Sequence, residues 1–521
     1  MFLLLLACSG GQVALDPIAP VEDSRPDSPA DSPSDSGEAV DLAQAVTQEA
    51  LLGHLDALQA IADENSGHRE AWSAGYFASL DYVQGQLEAA GYEVEREAFT
   101  VTRSTLNSAS LGTDSQSFAL NEGFGVFPGS GSGEISAPLQ GVDLSIPPSG
   151  GANSSTSGCE DADFADFQAG SVALIQRGSC TFSDKVARAQ AAGAVAVLIF
   201  NEGQSGRKEL FSGSLGASVP IPVLALSYDT GVSLSSASEV RLSVDLSVTE
   251  AVDHNLHAYS AAGDPGLRVH VGAHLDSVQA GPGINDNGSG TAAVLETAIQ
   301  LAAADLPLEH QVQFSFWGAE EHGLIGSLAW LDRVAQEAPG ELQAVDAAFN
   351  FDMLGSDNGV VFLYDGDGSA GQAQYPHPSG NPAGSDALEA LLDQRLGDTP
   401  TVAVGLGVPS DSYGFAAYGI PTGGLFSGAS GVKTEQEAAD FGGRAGQAYD
   451  ACYHQGCDDT GNIDPELYVR LAQAAAGAIQ DAAMSPQAFK APGLVAPRAL
   501  GVPVSAGHAG HAHCGDAPVF R

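Results

Sequence analysis

From residue 254 to 483 the chain alternates short apolar runs with longer amphipathic ones, and that alternation leaves few folds open. The runs at 254–259, 267–273, 310–317 and 345–351 are too short for stable helices and predict strands. The segments 289–303, 322–335, 384–394 and 464–483 carry apolar residues at helical spacing. Strands separated by helices need crossovers, and crossovers lay helices on both faces of a sheet. The predicted fold class is α/β: a mostly parallel central sheet flanked by helices.

Upstream, 44–62 and 76–90 read as helices, the second stopped by Gly91, a residue suited to a helix end. The run YEVEREAFTV that follows alternates as a strand does. A second unit shows at 171–226. Apolar strands at 171–176, 195–200 and 221–226 surround an amphipathic helix at 182–192, which predicts a small α/β domain. Residues 106–170 are rich in Ser, Gly and Pro and show no clear period. Beyond 485 the pattern is lost, and the chain ends in a His-rich tail (His508, His511, His513, Cys514) that reads as disordered rather than as a metal trap. A chain of 521 residues exceeds one hydrophobic core, so two or three domains are expected.

The chain carries 65 acidic against 19 basic residues, a formal net charge of -46. Such a surface repels nucleic acid and anionic lipid. The N-terminus, MFLLLLAC, resembles a bacterial lipoprotein signal with Cys8 as the lipidated residue, although no Lys or Arg precedes the apolar run and the run is short. Residues 9–43 are largely Asp, Ser and Pro and predict an extended tether. The expected location is outside the cytoplasm, as an envelope lipoprotein or a secreted protein, with Cys8 the one route to a membrane. Export permits disulfides. The pairs closest in sequence are Cys159 with Cys180 and Cys452 with Cys457; free buried thiols are the alternative.

Several polar segments end apolar runs, where open α/β sheets place their sites. His274 closes the run VGAH, and Asp276 two residues on can hold its imidazole. Asp286 sits in the glycine-rich turn GPGINDNGSG. Glu320 and Glu321 follow the run VQFSFW; adjacent side chains diverge, so one carboxylate can bind metal while its neighbour faces an activated water. Asp352 ends AAFNF, and Tyr453 and His454 lie much later. Taken singly, each has a plain reading as a helix cap, a turn residue or a hydrogen-bonded histidine. Their shared position on one sheet is the argument. Two zinc ions would be neutralised by Asp286, Glu321, Asp352 and one hydroxide, with both histidines neutral, as a two-metal hydrolase requires.

The segments GAHLDSV, GPGINDNGSGTAA, FWGAEEHGLIGS, NFDMLG and CYHQGCDDT together resemble the secreted bacterial leucyl-type aminopeptidases of the co-catalytic zinc family. The resemblance covers about 44–130 and 250–485. It implies a zinc-exopeptidase fold and removal of N-terminal residues from peptides or proteins with a free N-terminus. It implies two Zn²⁺ per chain: His274 and Asp352 on one, Glu321 and His454 on the other, Asp286 bridging. Glu320 would be the general base, Asp276 the support of His274, and Tyr453 a group polarising the scissile carbonyl. It also implies a cis peptide at Asp286–Asn287. Residues 136–240 are similar to a protease-associated domain inserted into the catalytic domain, which would then comprise 44–135 and 241–485, with 1–8 as signal and 486–521 as tail. One departure is visible. Relatives often read Gly-Arg-Ser-Asp where this chain reads Val408-Pro409-Ser410-Asp411, which bears on the substrate pocket. A carboxypeptidase and a glutaminyl-cyclase-like zinc enzyme share enough of the metal core to stand as alternatives; an inactive receptor-like descendant would have lost ligands, and all five are present.

Overall fold

Four parallel strands form the centre of the catalytic half: Thr422–Phe426, Val345–Phe351, Asp264–His274 and His310–Trp317, side by side in that order. The computed structural model describes residues 40–490 and 505–506, apart from 152–153, 205–206, 212–214, 216–217, 372–376 and 378. The expected signal, most of the tether, Cys8 and nearly all of the C-terminal tail lie outside the described residues. Among the described residues, no helix is long and apolar enough to cross a membrane.

Apolar side chains on both faces make the parallel strands: Val345–Phe351 and Thr422–Phe426 are buried throughout. The flanks are mixed. Phe362–Tyr364 runs antiparallel to Thr422–Phe426, and Val402–Val404 extends that edge in parallel. On the other side Glu239–Tyr259 runs antiparallel to His310–Trp317. Chain order reverses around Asp264–His274: its successor His310–Trp317 lies on one side, the next strand on the other. That reversal opens a crevice at the carboxyl ends of the strands.

Helices cover the sheet where the apolar spacing placed them: Gly290–Ala303, Ile325–Glu337, Ser385–Leu396 and Pro465–Met484. The expected helix over 44–62 is two, Leu42–Ala45 and Gln48–Glu64, because Thr47 stops the first and caps the second by accepting from Ala50 N–H at 3.3 Å. Leu51, Leu55 and Leu58 then pack with Tyr76, Leu80, Val83 and Leu87 of helix Ala74–Ala89 into the main core.

The segment without a clear period conceals a long ribbon. Val94–Gly112 and Glu239–Tyr259 pair antiparallel from Val94↔Ala258 to Gly112↔Arg241. The sequence pattern marked only the ends nearest the catalytic core, where residues 255–258 are all buried. Over 247–252 the ribbon faces solvent, and Val248 and Val252 are more than half exposed. At the far end Glu239–Tyr259 pairs with Gly133–Val142, which begins a second sheet continuing through Val172–Gln176, Ala196–Phe200, Val223–Leu226 and Phe124–Val126. Helices Phe182–Ala191 and Tyr228–Leu234 belong to this unit. The divisions expected at 135/136 and 240/241 therefore fall inside strands, and one strand serves both sheets. Cys159–Cys180 closes a loop in the second unit, and Cys452–Cys457 one beside the catalytic sheet.

The main core draws on residues 42–94 and 256–489 and on none of the accessory unit. Joining Thr105 to Ser247, which pair across the ribbon, through a short Asn-Gly turn should leave a folded catalytic unit. Circular dichroism should show a cooperative thermal transition. A chain without one would mean that the accessory sheet is required for folding.

Candidate metal centre

The crevice gathers acidic and imidazole side chains at the strand ends. His274 is the last residue of its strand and is buried. After Trp317 the chain turns through Gly318 and Ala319, the latter at φ +55°, and presents Glu320 and Glu321. Asp352 follows Phe351 and precedes Met353 at φ +52°. His454, at φ +58°, sits within the loop closed by Cys452–Cys457. Left-handed backbone at non-glycine positions is costly and persists where the surroundings impose it. Asp286 stands in the loop before helix Gly290–Ala303, and its peptide to Asn287 is cis.

Asp286 divides its carboxylate between two groups. Its Oδ1 lies 3.2 Å from His274 Nε2, which is also 3.4 Å from Asp352 Oδ1. Its Oδ2 lies 3.1 Å from His454 Nε2, which is also 3.0 Å from Glu321 Oε2. The result is two triads, His274–Asp286–Asp352 and Asp286–Glu321–His454, each with three ligand atoms close enough to share one ion. Glu320 belongs to neither; its Oε2 is 3.9 Å from His274 Nε2. Tyr453 stacks on the His454 ring at 3.8 Å between centroids. All of these residues except Asp276 line one cavity, whose remaining wall is apolar: Met353, Tyr364, Val408, Pro409 and Phe426.

Buried partners fix the carboxylates from behind. Asp276 receives His274 Nδ1 on its backbone carbonyl at 3.1 Å, and its side chain accepts from the backbone N–H groups of Glu320 (3.1 Å) and Glu321 (3.3 Å). It thus orients the Glu-Glu corner as well as the histidine. Asp458 accepts from Asn285 N–H and Asp286 N–H at 2.9 and 3.0 Å. Ser410 Oγ donates to Asp352 Oδ2 at 2.7 Å, leaving buried Oδ1 with no hydrogen bond among the described residues. Arg69, fully buried, donates to the carbonyls of Leu275, Pro282 and Gly283 and so staples the loop that carries Asp276 and Asp286.

Electrostatics show what the cluster demands. Burial raises Glu320 well above the carboxylate range, and Asp411, Asp352 and Glu321 add to it against His274. Burial would lower His454, but Glu321 and Asp286 push it up to about 11. His274 rises well above its ordinary value, because Glu320 and Asp352 outweigh its burial. Asp286 falls, since its two histidines outweigh both its burial and Glu321. Asp458 is pushed up to about 8, by burial and then by Asp450. Protons are one compensation for so many clustered carboxylates. Divalent cations are the other, and the mixed N/O donor set and the unsatisfied Asp352 Oδ1 fit a borderline ion such as zinc.

Comparison with known proteins agrees with this donor set. The model of peptidase family M28 matches residues 255–479, and that of the PA domain matches 142–234. An aminopeptidase of Pseudomonas aeruginosa is 43% identical over 423 residues, 79% of this chain and 76% of its own. The chain belongs to peptidase family M28. A "Probable lipoprotein aminopeptidase LpqL" of Mycobacterium tuberculosis is 35% identical over 450 residues, 82% of this chain and 83% of its own. The fold is that of an aminopeptidase from Aneurinibacillus sp. strain AM-1 (TM-score 0.64, 24% identity, 87% of this chain and 97% of that one). A zinc aminopeptidase from Bacillus subtilis is similar (TM-score 0.59, 24% identity, 84% and 95%).

Sequence reading missed Arg69, Asp450, Asp458 and Asn285. None ends an apolar strand, and the helix signal around them is weak. A buried arginine needs acceptors, and Arg69 takes three carbonyls and sits near Asp276, Asp286 and Asp458. Arg69→Met would leave these unmatched. It should lower the unfolding free energy by about 3–5 kcal/mol, the cost of breaking a buried charge arrangement, as read by urea denaturation. A loss under about 1 kcal/mol would show that the loop holds itself.

Proposed function

We propose that this chain hydrolyses the N-terminal peptide bond of peptides with two zinc ions, one held by His274 and Asp352, the other by Glu321 and His454, with Asp286 shared. The observation that carries the reading is the Asp286 carboxylate, with one oxygen facing each triad. The enzyme is a zinc-dependent aminopeptidase of the M28 family, with a PA domain; the number of ions and the roles of individual residues are proposed.

When bound, the ions supply Lewis-acid polarisation and acidify water. Glu320 is close to the cavity but outside both triads, which suits a proton carrier better than a ligand. It takes the proton from water and returns it to the leaving amine. Asp276 keeps that carboxylate and its neighbour Glu321 pointing apart by holding both backbone N–H groups. Tyr453, packed against His454, is placed to donate toward the carbonyl oxygen. The apolar wall of Met353, Tyr364, Val408 and Phe426 receives the side chain of the residue removed.

Glu320→Gln should keep both zinc ions while kcat falls about 10²–10⁴-fold. Glu321→Gln should lose zinc instead, because a neutral amide is a poor ligand. Metal content measured beside kcat separates the two, and the reverse pattern would exchange the assigned roles. In the same assay N-acetylated peptides should be refused while free peptides are cleaved; equal cleavage of both points to a different exopeptidase activity.

Outside the cytoplasm the chain is held, on this proposal, by lipid on Cys8. The 43–35% identical relatives include one with a lipoprotein name. Cys8→Ser should move the protein from the membrane fraction to the soluble one on cell fractionation; an unchanged distribution removes the anchor.

A further inference from the structure

In the accessory unit a buried lysine sits against a disulfide. Lys185 belongs to helix Phe182–Ala191 and is wholly inaccessible to solvent. Its Nζ donates to the Ser157 carbonyl at 2.5 Å and lies 3.5 Å from Cys159 Sγ, whose bonded partner is Cys180. Ser179 Oγ is 3.7 Å from the same sulfur. Cys180 is partly exposed and stands between two exposed residues, Ser179 and Thr181. The two sulfurs are therefore not equivalent: an amine backs Cys159, and the neighbours of Cys180 face solvent.

Part of the lysine's role is to hold the loop. Ser157 Oγ donates to the Val142 carbonyl and accepts from Gln176 N–H, so the amine anchors a residue that ties two strands. That does not account for its charge. An ammonium has three protons to place, and a disulfide sulfur is a weak acceptor. Among the described residues Lys185 forms no ion pair with a carboxylate. Such a charge is costly to bury unless a counter-charge stands close. Burial lowers Lys185 to about 8, against the pull of Glu202 and Asp163, so at pH 7 it is still mostly charged. The carboxylates around it have other partners: Glu202 pairs with Arg207 and Asp161 with Arg188, while Asp163 accepts from Glu160 N–H. A thiolate on Cys159 would give the ammonium the anion that the disulfide does not. The N-terminus of helix Phe182–Ala191 lies beside Cys180 and favours a thiolate there too, but with a partial charge against the full charge in contact with Cys159.

We propose that Cys159–Cys180 is a thiol-exchange site: a low-molecular-weight thiolate attacks Cys180 Sγ, and Cys159 leaves as a thiolate held by Lys185. The bond between the two cysteines breaks as the new sulfur–sulfur bond to Cys180 forms. The electron pair stays on Cys159, which is reduced as the incoming sulfur is oxidised, and no proton has to move. A leaving thiol of lowered pKa departs faster, and a neighbouring lysine is one of the groups that lowers it. The product is a mixed disulfide on the partly exposed Cys180. Among the described residues no lysine amine contacts Cys452 or Cys457, so the bond around His454 lacks this assistance to a leaving sulfur. The exchange alters the accessory unit alone and does not depend on the zinc site.

The test exposes the full-length, zinc-loaded protein to glutathione at pH 7, quenches with iodoacetamide and maps the cysteines by mass spectrometry. The expected product carries glutathione on Cys180 and the alkyl group on Cys159. The reverse assignment, or no mixed disulfide at all, overturns the proposal, and this readout needs no variant. In Cys180→Ser, the rate at which Cys159 is alkylated should rise with pH through a midpoint at least about one unit below the ordinary thiol value of about 8.5. Lys185→Met in that background should return the midpoint to about 8.5 or above, which loss of the Ser157 anchor alone would not do. A difference of less than one unit in either comparison overturns the role of the amine. None of these readouts uses peptide hydrolysis, so they stand whatever the fate of the catalytic assignment.

Discussion

Mutual repulsion among buried carboxylates is the constraint around which the catalytic half is organised. Asp276, Asp286, Glu320, Glu321, Asp411 and Asp458 are all nearly inaccessible to solvent, and Asp352 is largely so. Water does not screen them there, so each needs a donor or a cation close at hand. The chain supplies donors from its backbone: Glu320 and Glu321 N–H to Asp276, Asn285 and Asp286 N–H to Asp458. These bonds satisfy the outer carboxylates and hold the inner ones in place. The inner ones, Asp286, Glu321 and Asp352, keep oxygens turned toward the histidines. The division of labour follows from geometry, because one carboxylate cannot both accept backbone N–H groups on its two oxygens and bind an ion well.

The sheet makes that crowding possible. Parallel strands end together, and their connections leave at the same edge, so residues far apart in sequence meet there. The loops that complete the site are held by other means: Arg69 on the loop after His274, the disulfide Cys452–Cys457 around His454, and Asn462 bridging Asp450 and Asp458. Left-handed backbone at Ala319, Met353 and His454 marks the three places where the chain must bend sharply to aim a side chain. The accessory sheet stands apart from this arrangement. It is joined through the paired strands Val94–Gly112 and Glu239–Tyr259, whose hydrogen bonds run unbroken but for one irregularity near Leu106 and Ser108.

How far the sequence told this in advance depends on burial. Where both faces of a strand are covered, as at Val345–Phe351 and His310–Trp317, the apolar run had the right ends. Where a strand is short or half exposed, as at Phe362–Tyr364, Val402–Val404 and the outer ribbon, nothing in the period announced it. Thr422–Phe426, the sequence TGGLF, is buried throughout, yet its glycines hide it from a pattern of bulky residues. The same rule governs the site. His274, Glu320, Glu321 and Asp352 were legible because each ends an apolar run. Asp286 was legible from its glycine-rich turn, while its place between two ions and the roles of Tyr453 and His454 needed the family resemblance. Arg69 and Asp458 were silent because they are joined to the site by hydrogen bonds across about 200 residues of sequence, and such pairings have no local period.

The cavity wall adds a last step about which end of a peptide it accepts. Among the described residues its lining carries carboxylates, two histidines, two tyrosines and apolar side chains, and no lysine or arginine. Val408 and Pro409 contribute apolar surface to that wall. With the ions bound, the charges of Asp286, Glu321 and Asp352 would be matched, and a terminal carboxylate would find no lysine or arginine in the described lining to pair with. A free amine would find the carboxyl of Glu320, which lies outside both triads. Among its side chains the described lining therefore offers a partner to an N-terminus and none to a C-terminus. Beyond Glu320 the described wall is Met353, Tyr364, Val408, Pro409 and Phe426, which meets a substrate side chain with shape rather than with charge.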